Sequence, residues 1–124
     1  MRSLLLAIAL ASAPQALAAE PAAAPIADVQ ASAAGAWREE GAIWSFDADG
    51  AAHLSYDGRG PSNGRATWRQ EGSSVIVLLH YRAIAVSWRY VGRISAAGDR
   101  VEGRAYRTEA GIEADHGPWT LRRP

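Results

Sequence analysis

Residues 84–94 of this 124-residue chain alternate without a break. Ile84, Val86, Trp88, Tyr90, Gly92 and Ile94 fall on one side of the pattern, and Ala85, Ser87, Arg89, Val91 and Arg93 on the other. A period of two is the spacing of a β-strand with one face buried. From Gly35 onward the same pattern recurs in short segments divided by glycine, and no helical period interrupts it.

The remaining segments can be read in the same way. Residues 36–38 form a short first strand, and residues 42–46 set Trp44 and Phe46 on one face. Asp47-Ala48-Asp49-Gly50 is turn chemistry, because Asp caps a turn and Gly accepts positive φ. Residues 51–56 put Ala52, Leu54 and Tyr56 inward and His53 and Ser55 outward, before the longest loop at 57–64. Residues 65–70 carry Trp68 inward, with Arg65, Thr67 and Arg69 outward. Residues 75–81 are apolar on both faces, which suits a strand covered on two sides or a central one. Residues 100–107 turn Val101, Gly103 and Ala105 inward, residues 108–116 read as irregular, and residues 118–122 make the last strand. That is about eight strands joined mostly by hairpins, the count of a small all-β domain. An antiparallel up-and-down barrel removes the edges such a meander would expose; a two-sheet β-sandwich is the alternative.

The N-terminus has a different character. Met1-Arg2-Ser3 is a short positive start, and residues 4–11 are an apolar run far too short to span a bilayer. Ala16-Leu17-Ala18 fits the small-x-small rule for cleavage after Ala18. The expected organisation is a signal peptide at 1–18, a flexible Ala/Pro-rich tether at 19–34 that adds nothing to the core, and the barrel domain at 35–124. The mature product is expected to be soluble, periplasmic or secreted, and without a transmembrane segment.

Composition narrows the chemistry. The chain has no cysteine, so neither a disulfide nor a lipidated cysteine is available. Acidic and basic residues balance at 13 each, which gives no electrostatic case for nucleic acid. Every basic side chain is arginine, the residue suited to bidentate contact with carboxylate or phosphate. His53, His80 and His116 lack metal-ligand spacing, and no cofactor or metal site is expected. Asp47 to Gly50 lacks the further ligands of a calcium loop. No serine sits in a nucleophile elbow, and Glu39, Glu40, Glu109, Glu113 and Asp115 fall where solvated charge is ordinary, so no catalytic residue is assigned.

Gly35-Ala36-Trp37 resembles the Gly-x-Trp opening of lipocalin-like (calycin-type) barrels, and residues 117–123 resemble their closing strand. The chain as a whole is similar to small exported bacterial barrels of that type, although shorter than true lipocalins and without their common cysteine pair. The resemblance implies that Trp37 plugs one end and that a basic residue of the last strand, Arg122 or Arg123, packs across it, with Trp119 part of the closure.

Two surfaces are candidates for function. Trp37, Trp44, Trp68, Trp88 and Trp119 all fall inward, mainly as core, and Trp44, Tyr56, Trp68, Trp88 and Tyr90 are the residues expected to line a mouth for a small apolar ligand beside the 57–63 loop. Arg65, Arg69, Arg89, Arg93 and Arg104 make an outward face for an anionic partner: a lipid, a polysaccharide or an exported protein. The expected function is therefore a non-enzymatic exported binding or interaction protein. The alternatives are a barrel inhibitor of an exported hydrolase and, third, a hydrolase.

Overall fold

Nine strands follow one another along residues 30–124, the part of the chain that the computed structural model describes. They are β1 (Gly35–Glu39), β2 (Ala42–Phe46), β3 (Ala51–Tyr56), β4 (Gly60–Pro61), β5 (Arg65–Glu71), β6 (Ser74–Tyr81), β7 (Val86–Ile94), β8 (Arg100–Glu109) and β9 (Ile112–Arg122). All pairings are antiparallel, and β9 returns to β1 through the register pair Arg122 with Arg38. Eight strands thus close an up-and-down barrel. The two-residue β4 clips onto the end of β3 rather than joining the wall. Closure is sparse at two seams: β3 meets β5 at two register pairs and β9 meets β1 at one.

The alternation places the core as expected. Trp37, Trp44, Phe46, Leu54, Val75, Val77, Leu79, Val101, Trp119 and Leu121 are buried inside, each one residue away from an outward neighbour. Trp44, Tyr90 and Trp119 meet at centroid separations of 5.0–6.4 Å, in tilted and edge-on arrangements that aromatic quadrupoles favour. The interior is filled by side chains, as an eight-stranded barrel requires.

The two ends differ. One is sealed by residues 31–34 and by the chain's end. The Gln70 amide donates to Ala31 O at 2.7 Å and accepts from Ala33 N at 2.9 Å. Trp37 Nε1 donates to Ala33 O at 2.8 Å. Arg123 lies over the Trp37 ring at 3.8 Å and donates to Ser32 O, Ala34 O, Ala36 O and Gly98 O. The barrel unit therefore begins at Ala31, not Gly35, and Ala33 is wholly buried in the core. The expectation that the tether adds nothing to the core fails here, because Ala33 is held in the core cluster with its carbonyl accepting from Trp37. The expected signal peptide and the tether up to residue 29 lie outside the described residues.

Three further expectations change. Residues 108–116 are strand rather than irregular: Ala110 and Gly111, with φ of 55° and 78°, turn β8 directly into β9. This ribbon rises beyond the barrel wall with no core beneath it, so it carries no apolar face to be read. Residues 75–81 take the second of their two expected settings, a central strand paired with β5 and β7 on its two edges, and not cover on two sides, since Leu78 is 45% exposed on the outer wall and Ile76 lies beside it on the same face. Ile84 does not point inward; it is 63% exposed in a single 3₁₀ turn, Arg82–Ile84, between β6 and β7.

Most of the β9 edge that faces β1 is unpaired among the described residues. Glu113, Asp115, a bulge between Asp115 and Gly117, and Pro118 all fall on this stretch. Charge, bulge and proline are the devices that keep an open strand from pairing with another chain.

Candidate functional site at the open end of the barrel

The end opposite Trp37 carries the β1–β2 turn, the 57–64 loop, the 3₁₀ turn and the β8–β9 turn. An open cavity of about 320 Å³ lies beside the β1–β2 turn, walled by β3, β7, β8 and β9; no residue of the 57–64 loop, expected to flank it, lines it. Tyr56, Trp88, Tyr90 and Trp119 line it, together with Glu39 and His116. Trp88 stacks on Tyr90 at 5.9 Å with an 11° tilt, and His116 meets the Trp88 ring edge-on at 5.0 Å. Larger grooves on the outer wall, about 460 Å³ beside Leu78 and about 720 Å³ at the β1–β9 seam, are open and bordered by exposed arginines. The mouth cavity alone reaches Tyr90 and Trp119 of the aromatic core.

Glu39 ends β1 two residues after Trp37 and therefore points the same way, inward. Its Oε1 accepts a hydrogen bond from Trp44 Nε1 at 2.7 Å. Burial raises the pKa of this carboxyl above the ordinary glutamate value, and the Trp44 bond opposes the shift only in part. Burial, then Tyr81, raises Tyr56 to about 12, and burial with nearby Glu39 raises Tyr90 further. Both phenols stay protonated and able to donate. At the rim the Tyr81 hydroxyl lies 3.0 Å from Tyr56 Oη and 2.9 Å from Ser62 Oγ, which ties the 57–64 loop to β6.

Trp119 is 1% exposed, and its Nε1–H has no hydrogen-bond partner among the described residues. Buried indole N–H groups are rarely left in this state, because stranding a donor away from water costs about 1–3 kcal/mol.

Of the expected ligand residues, Tyr56, Trp88 and Tyr90 come together at the mouth. Trp44 sits one layer deeper and reaches the cavity through Glu39. Trp68 is at the sealed end, where it stacks on Phe46 at 5.2 Å and donates to Asp47 O at 2.7 Å, so it is not a mouth residue. Trp119, expected as closure, is the cavity floor. Arg122 is exposed on the outer face, and Arg123 takes the place over Trp37, since it follows the last strand residue and is free to fold inward. A strand-end position puts Glu39 with ordinary solvated charge by sequence alone; extending the first strand by one residue, with the parity of Trp37, is the signal that places it inside.

The arginine face is largely paired. Arg69 binds Glu71 at 2.8 Å, Arg104 binds Asp115 at 2.8 Å, and Arg89 binds Glu113 at 3.1 Å while lying 4.4 Å over Tyr106. Glu113 and Asp115 reach these partners because residues 108–116 are strand. Arg93 faces Glu102 in register, but Arg100 takes that carboxylate at 2.9 Å. Arg65 and Arg93 are without an ion-pair partner among the described residues. On the same wall His80 Nδ1 lies 2.8 Å from Ser87 Oγ, with no carboxylate bonded to the imidazole among the described residues. No group of three potential metal ligands occurs among them either.

No family model matches the chain, and neither a curated protein nor a solved structure does.

Glu39 carries a testable consequence for stability. A carboxyl whose folded pKa is raised stabilises the fold while protonated, below the ordinary glutamate pKa, and that contribution is lost as pH rises through the raised value. At neutral pH the buried charge is a liability. Glu39→Gln keeps an oxygen for Trp44 and removes the charge, so it is expected to raise the melting temperature at pH 7 by roughly 2–5 °C. The gain should vanish near pH 4. Thermal unfolding followed by circular dichroism at both pH values checks this, and a fall in melting temperature at pH 7 would refute it.

Proposed function

We propose that this chain is an exported, non-enzymatic binding protein of lipocalin-like type that takes a small ligand at the open end of its barrel. The observation that carries the reading is the mouth cavity itself, lined by the aromatic side chains of Tyr56, Trp88, Tyr90 and Trp119. The cavity volume lies at the small end of the usual range for ligand pockets. The contact of Arg123 with Trp37 supports the lipocalin-like part of the proposal, since it matches the resemblance in kind. Export rests on residues 1–18, and the mass of the product released from the cell, beginning at Ala19, tests it.

Binding is read by the tryptophans themselves. Titrating the protein with fatty acids, small amines and apolar dyes is expected to change its Trp emission for at least one class. Trp88→Ala, at the mouth, is expected to weaken that binding by about tenfold or more. Trp68→Phe, at the sealed end, should leave it unchanged. An unaltered spectrum across the panel, or equal losses for both variants, would count against the mouth as the site.

A further inference from the structure

We propose that the ligand of the mouth is a small organic cation, a quaternary or protonated amine, held against aromatic faces with its charge opposite the Glu39 carboxylate. The inference rests on the binding reading above and names its ligand class.

The first support is the charge of the lining. The chain as a whole is neutral and rich in arginine, yet the cavity takes in Glu39 and Glu40 and no arginine. The other titratable groups facing it are Tyr56 from β3, Tyr90 from β7 and His116 from β9. An anionic ligand would meet two carboxylates there. A neutral apolar ligand would offer the Glu39 carboxylate no counter-charge, and among the described residues that carboxylate receives a single hydrogen bond, at Oε1.

The second support is the shape of the aromatic lining. Trp88 stacks on Tyr90 with an 11° tilt, and Trp119 stands at 40° to Tyr90 with centroids 5.0 Å apart, so three rings are grouped on the lining. Aromatic faces attract cations through the ring quadrupole, most strongly where water is excluded. Two rings of the lining already do this for the chain's own arginines at the rim. Arg59 lies 5.6 Å from the Tyr56 ring centre, and Arg107 lies 5.9 Å from that of Trp88. Arg107 is neutralised by Glu109 at 2.7 Å, while Arg59, over Tyr56, has no ion-pair partner among the described residues and is the one positive charge at the rim that a bound cation must meet.

The third support is the state of Glu39 itself. A half-buried carboxylate held by a single indole donor is costly to the fold, and a bound ammonium offsets that cost directly.

The test uses the full chain with choline, tetramethylammonium and 3,3-dimethylbutan-1-ol, the uncharged isostere of choline, followed by Trp fluorescence and calorimetry. Choline is expected to bind roughly tenfold or more tightly than the isostere. Glu39→Gln should erase that preference while leaving isostere binding and the circular dichroism unchanged. Trp88→Leu, which removes an aromatic face but keeps an apolar one, should cost choline more than the isostere. Equal affinity for choline and isostere would overturn the cation and leave mouth binding standing. So would undiminished choline binding by Glu39→Gln, or binding of an apolar dye without either cation at millimolar concentration. Failure of all probes, dye included, would overturn both readings.

Discussion

Gly103→Ala is expected to be the most damaging single-methyl change in this barrel, with a loss of more than about 4 kcal/mol, much of a small domain's total stability. Gly103 on β8 faces Gly92 on β7 in register. A Cβ at Gly103 would overlap the Val91 carbonyl oxygen and stand 2.6 Å from the carbonyl carbon. Those atoms are backbone in a hydrogen-bonded neighbouring strand, so no rotamer relieves the clash and β7 must separate from β8. Such a close approach marks a tight bend in a barrel wall. Gly92→Ala should be milder, at about 1–3 kcal/mol, because its nearest obstacle, at 2.8 Å, is the Val101 side chain. Denaturant unfolding monitored by Trp emission measures both. A Gly103→Ala protein as stable as Gly92→Ala would refute the assignment.

Arg123→Ala is expected to cost about 2–4 kcal/mol, or roughly 10–20 °C in melting temperature for a domain of this size. The guanidinium donates to four carbonyls, Ser32, Ala34, Ala36 and Gly98, and covers Trp37 at 3.8 Å. Removing it exposes the Trp37 face and releases residues 32–36 from the chain's end. The geometry needs the planar fork, so Arg123→Lys should recover only a minor part of the loss. Arg122→Ala, one residue earlier but exposed, should change stability by no more than about 0.5 kcal/mol. A pair of equal melting temperatures for the two alanine variants would show that the sealed end does not depend on this arginine.

Much of the site was within reach of the sequence once strand parity was applied to it. Tyr56, Trp88 and Tyr90 are inward by alternation, and the mouth contains all three. Glu39 follows from the parity of Trp37 but sits at a strand end, where charge is ordinarily solvated. Trp68 shares that parity yet lies at the sealed end, because alternation tells inside from outside and says little of height along the barrel axis. The arginine face was legible as a set of outward positions. Its neutralisation was not, since Glu113 and Asp115 lie on a ribbon that buries nothing and so lacks an apolar pattern.

By itself the sequence determined the all-β class, the antiparallel order of the strands and the identity of the filled core, because alternation and turn chemistry act over a few residues. Tertiary structure alone decided that β9 closes on β1, that Arg123 rather than Arg122 seals one end, and that the other end stays open over Trp119. Those outcomes depend on sheet twist accumulated over eight strands, and on contacts between residues as far apart as Ser32 and Arg123. No local pattern carries that information.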